Sequence, residues 1–597
     1  MRKPIGAALL SLGSVLFKRY NARLLTSKKA KEWKLPLPQE HRAWVIKTDI
    51  TLDGEQLSLV VLAKETFPYV PPKIYVRPHT SILKHPHIED GGRLCVWSSQ
   101  VAFNPHDHSY IHTLVNDAHK MVSKTIKGQL DDDFENGFLS YWTNANPHTI
   151  KVSSLNNLQR TPSRQIYVAY TKQKGVVFAD SSLELNSWLE RAGVKPKYRN
   201  ITTSILISLD KPWKPCEYPK TLGEIEDILI KQGWASDPLN KCIADLLSVP
   251  KPFPIFLVRV ETTNGIACVG MSLETNALGT GNRGKTYRKP ILGNGYRPGK
   301  VSNKVLLGRS RNIKLNGVNV DRKDISWMLG RDRNKALKDL GEIKIAVLGL
   351  GSVGSGLLPL LVRSGFKKFV LVDGDILEPA NIGRHWLGEQ HVGQNKAKAC
   401  EDELNRMFPW VEVDLCSQSE WFKDEATIEE IKDCDVIVSA TGEWASDCAM
   451  RDLTEKEDII SPVVFCFTEA HATATHCFVN MDGSFDYFDL FDSTGILKRP
   501  VTTYQESTVE ALPSCGGFYQ PYGAIELSYG HGMICETICN IVHSGEVDSN
   551  LKHTVWVGRK SLVESTGGTW NSDWVMAHGD PEQGSKIIRV EELANGV

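Results

Sequence analysis

The thirteen cysteines of this chain are odd in number and never form a CxxC pair. That absence excludes a four-thiolate zinc site, argues against a disulfide framework and makes a cytoplasmic, reducing setting the expectation. Net charge is missing too. Seventy basic residues balance seventy acidic ones, so no global field draws the chain to nucleic acid or to an acidic membrane, and neither is expected as a partner. A membrane span is also lacking. The opening MRKPIGAALLSLGSVLFKRY is broken by Gly6 and Gly13, has no clear cleavage triplet and is too short to cross a bilayer. Leu9, Leu12, Leu16, Tyr20 and Leu24 recur at three- and four-residue steps and predict an amphipathic first helix. What is present, 597 residues of which 41% are hydrophobic, suits a globular chain of roughly three or four domains.

The stretch that organises the rest is Lys344 to Asp375. An apolar run, Ile345 to Leu348, enters the turn Gly349-Leu350-Gly351-Ser352-Val353-Gly354. A helical pattern follows, then a second apolar run, Phe369 to Val372, ending at Asp373. This reads as strand, phosphate-sized turn, helix and strand. Its acid lies 19 residues beyond the third glycine, near the ~20 expected of a ribose-binding carboxylate. Glycines let backbone approach phosphate oxygens, and the helix start offers unpaired N–H groups. A second literal match, Gly279 to Gly284, is followed by KTYRKP, whose proline cannot open a helix. The glycine-rich basic stretch around it, 276–311, is expected to be a solvated connector.

Upstream, WVIKTDITL, an Asp53-Gly54 turn, LSLVVLA and KIYVRP read as a strand meander. After Phe67-Pro68-Tyr69-Val70-Pro71-Pro72 come His85-Pro86-His87 and, eight positions beyond His87, Cys95; Ile111 to Ile126 then has helical spacing. This order resembles a ubiquitin-conjugating enzyme, whose motif is His-Pro-Asn with the thioester-forming cysteine eight residues on. The resemblance implies catalysis by Cys95, with His87 standing in for the asparagine that holds a loop and helps the oxyanion. Residues 151–325 mix strand-like runs (IYVAY, ITTSILISL, PIFLVRV) with helical ones (SLELNSWLERAG, TLGEIEDILIKQG) and show no chemistry of their own.

Beyond Asp373 the chain reads DGDILEPANIGRH and then HVGQNKAK. GxGxxG, DxD, NxxR and a glycine-flanked lysine in that order resemble the adenylating domain of the E1 and ThiF enzymes. The resemblance implies an ATP site formed by Gly349, Gly351, Gly354, Asp373, Asp375, Asn381, Arg384 and Lys396, with Asp373 on the ribose and Asn381, Arg384 and Lys396 facing phosphates. Arg331, with Arg333 next, is the candidate for an arginine reaching a partner's phosphates. The family's magnesium-binding aspartate is replaced by Gly442, which leaves Glu443 or Asp447, helped by Asp375, to hold Mg2+. Among the cysteines, Cys434 and Cys466 read as core and Cys535 and Cys539 as one buried helix face. Cys515, in ALPSCGG, is the candidate for the first acyl thioester.

The expected fold is therefore α/β multidomain. It comprises an α+β ubiquitin-conjugating-like domain (1–150), a middle α/β linker domain (151–325) and a Rossmann-like ThiF/E1 adenylation domain (326–597). The order resembles the activating–conjugating fusions of bacterial anti-phage CBASS operons. That implies ATP-dependent adenylation of a protein C-terminus, a thioester at Cys515, transfer to Cys95 and then to a lysine amine. It also implies a cGAS-like nucleotidyltransferase as the conjugated protein, and a homodimer. Two other readings are a sulfur-carrier adenylyltransferase for cofactor synthesis, with a non-catalytic N-terminal domain, and a nicotinamide oxidoreductase. The missing CxxC pairs count against the first, and NxxR with its lysine against the second.

Overall fold

The structure, a computed structural model, describes residues 3–35, 41–78, 83–97, 103–105, 107, 109–147, 150–235, 240–241, 243, 255–273, 303–330, 340–456, 459–481, 487–511, 518–544, 552–581 and 586–590. They divide into two compact units, one of Met1–Leu185 with Lys197–Asp324, the other of Asn186–Pro196 with Ile325–Val597.

The first unit holds two sheets. In the smaller, Arg23–Leu24, Arg42–Leu52, Glu55–Ala63 and Lys73–Arg77 lie side by side, all antiparallel. The turn at Asp53 and Gly54 has positive φ at both residues, 50° and 84°, the conformation a two-residue hairpin needs. Alternation along the strands sends Trp44, Ile46, Leu59 and Val61 to one face. There they meet Leu12 and Leu16 of the helix Lys3–Tyr20 and Ile111, Leu114, Val115, Ala118 and Val122 of Tyr110–Ile126. The first helix is as the spacing predicts up to Tyr20. Leu24 instead belongs to the edge strand Arg23–Leu24 and is exposed.

The larger sheet runs in the order Leu315–Asn319, Gly265–Leu273, Ile255–Thr262, Asn200–Leu209, Arg164–Thr171, Gly175–Ala179, Val152–Ser154, Asp321–Arg322. One of its two apolar faces is covered by Leu222, Ile225 and Leu229 of the helix Leu222–Lys231 and by Phe138 and Trp142 of Phe138–Ala145. Of the stretch expected to be a connector, 276–302 lies outside the described residues; Asn303–Ser310 is a helix, not loop.

The second unit is Rossmann-like. Its sheet runs Glu412–Ser417, Lys368–Val372, Lys344–Leu348, Val436–Ser439, Val463–Thr468, then Ala474–Asn480, His553–Val557 and Lys586–Val590. The first five strands are parallel and the last three antiparallel. The central parallel strands Lys368–Val372, Lys344–Leu348 and Val436–Ser439 are apolar on both faces because helices cover both. Ile345 and Val347 meet Leu357, Leu358 and Leu361 on one side, while Ala346 and Leu348 share the other core with Ile431 and Met450. From Lys344–Leu348 the chain moves outward twice on one side, then returns to place Val436–Ser439 on the other. The strand order therefore reverses between these two neighbours, the place where open α/β sheets bind ligands. Among the described residues, no helix is long and apolar enough to cross a membrane.

Candidate functional site

A cavity of about 440 Å³ opens at the C-terminal ends of those two strands. One wall is the glycine turn. A Cβ on Gly354 would lie 1.9 Å from the Gly349 carbonyl oxygen, and one on Gly349, at φ +81°, would lie 2.6 Å from Thr441 Cα. These two glycines therefore answer to the packing of the turn itself. Gly351 is different. A Cβ there would meet nothing within 4 Å, and the residue lines the cavity just before the helix Ser352–Ser364. It is the glycine that leaves room for something else.

Asp373 ties the turn to the next strand. Its Oδ2 accepts from Leu350 N at 2.7 Å and its Oδ1 from Asp375 N at 2.8 Å. Burial pushes its carboxyl above the usual range, and Lys396 with the two backbone donors opposes this. Beneath the turn, His385 donates from Nε2 to the Leu350 carbonyl at 2.8 Å and accepts at Nδ1 from Leu387 N at 3.0 Å. Burial lowers its pKa to about 4, so it is a neutral donor near pH 7, its tautomer assigned from these partners.

Positive charge comes from two places. Asn395 caps the helix Lys396–Met407, accepting from Lys398 N, and donates to the carbonyls of Asp373 and Asp375. This fixes Lys396, whose buried ammonium meets Asp375 Oδ2 at 2.7 Å. Arg384 follows a turn closed by Asn381 Oδ1 on Glu378 N, and its guanidinium lies 5.2 Å from the Tyr522 ring centre. Opposite them stand Trp444, Phe467, Tyr487 and Phe491. Fixed donors, a lysine, an arginine and an aromatic wall suit a nucleotide carrying phosphates.

Of the residues expected in this site, the cavity is lined by Gly351, Asn381, Arg384 and Lys396; Asp373, Asp375, Gly349 and Gly354 build its floor and turn from behind. Arg331, Arg333 and Cys515 lie outside the described residues. Glu443 stands at the N-terminal end of the helix Trp444–Glu455 without a side-chain capping bond, is exposed and does not line the cavity. Asp447, one turn on, does line it. Its carboxylate accepts from Ser439 Oγ at 2.7 Å and Tyr487 OH at 3.0 Å, and burial pushes its pKa up to about 6. Among the described residues no group of three or more His, Cys, Asp or Glu is arranged to hold a metal. One carboxylate still fits Mg2+ beside phosphates, which supply most of that ion's shell.

The second cavity, about 300 Å³, lies in the first unit around Cys95. Cys95 and Cys216 are the exposed thiols among the described residues; Cys434, Cys466 and Cys535 are buried, as the sequence predicts, and Cys539 is half-buried. Burial and Glu89 push the Cys95 thiol up, while Arg93 pulls it down. His87 has φ +63°, a left-handed conformation that His and Asn tolerate better than most residues. Its carbonyl accepts from Cys95 N at 3.0 Å, its N–H donates to Tyr141 OH at 2.8 Å, and its Nε2 meets Asp133 Oδ2 at 2.8 Å. The far wall includes Asn136, Asn144 and Asn264. Asn136 Oδ1 accepts from Thr263 Oγ1 at 2.7 Å, so the hairpin tip of the larger sheet reaches this cavity. Sequence reading gave no part to Asp133, Tyr141 or Asn264, and no spacing in the chain marks them.

The ThiF family model matches residues 324–535 and the prokaryotic E2 family B model residues 18–150. The ATP-dependent ubiquitin transferase-like protein Cap2 of Enterobacter hormaechei subsp. hoffmannii (strain UCI 50) is 33% identical over 113 residues, 19% of each chain. Its counterpart in Escherichia coli (strain TW11681) is 24% identical over 484 residues, 74% of this chain and 77% of that one. Ubiquitin-like modifier-activating enzyme 5 of Drosophila erecta is 32% identical over 116 residues, 19% of this chain and 29% of that one. The chain thus spans about a fifth of the length of the Enterobacter relative and about three quarters of the E. coli one. This chain therefore carries a prokaryotic E2 family B domain and a ThiF family domain on one polypeptide, and is similar to the Cap2 proteins.

Proposed function

We propose that the chain activates the C-terminal carboxylate of a protein with ATP and hands it, as a thioester, to an amine. The observation that carries this reading is the exposed Cys95 thiol in a cavity of its own, on the same chain as a switch-point cavity holding Arg384 and Lys396. ATP enters as substrate. Bringing a carboxylate to a polyphosphate crowds negative charge, and Lys396 and Arg384 supply fixed positive charge where it gathers. Gly351 leaves room for the phosphates, and Asp373, already anchoring Leu350, offers its remaining lone pairs to ribose hydroxyls. Asp447 would hold Mg2+, which neutralises phosphate charge, with Arg331 reaching the phosphates in a partner's site. Pyrophosphate leaves, and Cys515 takes the acyl group before Cys95 does.

The Cys95 cavity suits a cationic acceptor. Among the described residues its ionisable wall beside Cys95 is Glu89, Asp133, His87 and Tyr141, with no lysine or arginine lining it. Arg93, whose charge reaches Cys95, is ion-paired with Glu89 at 3.2 Å, which lessens its opposition to an incoming lysine ammonium. The carboxylate donor is a cGAS-like nucleotidyltransferase, the working form a homodimer and the setting the cytoplasm, as the likeness to CBASS fusions implies. The test is ATP–pyrophosphate exchange together with mass spectrometry of the Cys95→Ser chain purified from cells, whose ester-trapped cargo names the donor. An ATP-dependent, thiol-sensitive adduct supports the relay; exchange without any adduct rejects it.

A further inference from the structure

Where ubiquitin-conjugating enzymes carry asparagine, this chain carries His87, and the structure gives that imidazole a carboxylate. Asp133 Oδ2 sits 2.8 Å from Nε2, with both side chains about one-third exposed or less, at 29% for His87 and 33% for Asp133. A carboxylate at Nε2 keeps the proton there and leaves Nδ1 with its lone pair. Among the described residues Nδ1 has no hydrogen-bond partner. The ring cannot drift, because the His87 backbone is held on both sides by Tyr141 OH and Cys95 N. Asp133 is held in turn. It opens the helix Asp133–Asn136, Asn136 Nδ2 reaches its Oδ1 at 3.4 Å, and Asn136 is gripped by Thr263. Histidine, carboxylate and cysteine thus line one cavity.

We propose that His87 is the general base for the amine that attacks the Cys95 thioester, and that Asp133 is the residue that positions its ring. The lysine ammonium first gives one proton to solvent; the nitrogen lone pair then forms the new C–N bond, the C–S bond breaks with its electrons on sulfur, and a second proton passes from nitrogen to Nδ1 and on to the departing sulfur. The products are an amide and a free Cys95 thiol, so atoms and charge balance. Such help has a purpose here. Burial and Glu89 disfavour the Cys95 thiolate, so the sulfur is a reluctant leaving group and a ready base for the nitrogen matters more. The other titratable groups around the ring are Glu89, ion-paired with Arg93 at 3.2 Å, and Tyr141.

This inference rests on the thioester reading above, but the test need not depend on ATP. A fluorescent glycyl-peptide thioester is exchanged onto the full chain, and the signal lost in Cys95→Ala is taken as the Cys95 adduct. Its discharge is followed with lysine and, separately, with 2-mercaptoethanol, across the neutral pH range. His87→Asn should slow lysine discharge by roughly 100-fold or more and Asp133→Asn by at least about tenfold. Discharge to the thiol, which attacks as thiolate with no proton to shed, should change less than about twofold. Asp133→Glu should recover part of the lysine rate. Equal lysine rates in wild type and both variants, or equal losses with lysine and thiol, would overturn the assignment. If ATP never loads the chain but the exchanged thioester discharges as described, the base assignment stands and the activation reading falls.

Discussion

Replacing Asp447 by asparagine should make the second unit more stable and less active at once. The carboxylate is 8% exposed, held between Ser439 and Tyr487, and burial lifts it from the ordinary 3.8 to about 6. A folded acid above its unfolded value binds more protons in the folded state between about pH 4 and 6. Stability therefore falls as pH rises through that window, and the loss is complete above the folded value. Two pH units correspond to ~3 kcal/mol at 1.36 kcal/mol each. Asparagine keeps the shape without the charge. Asp447→Asn should thus gain up to ~3 kcal/mol at about pH 8, less any weakening of the two hydroxyl contacts, and nothing at about pH 4. The assay is thermal unfolding between those pH values, following the transition that a non-hydrolysable ATP analogue shifts. At roughly 2–4 °C per kcal/mol for a domain of this size, the gain is readily measured. Pyrophosphate exchange should fall in the same variant. A wild type whose stability is flat with pH, or a variant no more stable at about pH 8, would refute the claim that a costly buried charge is kept there. Full exchange activity would refute its role toward magnesium.

The glycine turn allows a cleaner separation of fold from function. Gly354→Ala drives a Cβ to 1.9 Å from the Gly349 oxygen and should cost on the order of 1–3 kcal/mol or more, seen as a lowered Tm. Gly351→Ala meets open space and should leave Tm within a degree or two of the wild type's while lowering ATP affinity in a nucleotide-binding titration. Lys396→Ala strips the cavity of its buried ammonium and should abolish pyrophosphate exchange, with circular dichroism unchanged. Cys95→Ala should leave exchange and a first thiol-sensitive adduct intact and yield no conjugate on a gel. Cys515→Ala should still exchange pyrophosphate and carry no reducible adduct at either thiol.

Local pattern made much of this legible. Alternation and helical spacing place Trp44, Ile46, Ile111 and Leu114 in one core, and a glycine-turn-acid sequence brings its strand to the reversal point of the sheet. What stayed hidden depends on contacts distant in the chain. Asp133 lies in the acidic run DDDFENG, which alone reads as a solvated surface, and only folding brings it to His87, 46 residues earlier. Glu443 and Asp447 are both candidate metal ligands in sequence, but helical phase decides between them. Glu443 stands at the helix start and faces solvent, whereas Asp447 comes round to the cavity one turn later. The glycine pattern misled in one respect. It suggested three glycines for one ligand, but two are demanded by backbone packing within the turn.

The middle segment, which shows no chemistry of its own in sequence, reaches the Cys95 cavity. The helix Phe138–Ala145 has two jobs on two faces. Phe138 and Trp142, both 1% exposed, belong to the core under the larger sheet, and Trp142 Nε1 donates to the Val318 carbonyl at 3.2 Å. Tyr141, one position back from Trp142, points the other way and accepts from His87 N. Thr263 and Asn264, at the hairpin tip of that sheet, grip Asn136 and close the cavity wall. The loop that carries the reactive thiol is therefore registered against the middle sheet through a helix that cannot rotate without exposing an indole and a phenyl ring. A histidine base works only when its ring is held at a fixed distance from the bond being made. For the proposed base, anchoring His87 and Asp133 to a sheet core of Ile205, Ile207, Val258 and Val269 is a physical means of holding it, and under that proposal the middle segment would belong to the catalytic apparatus.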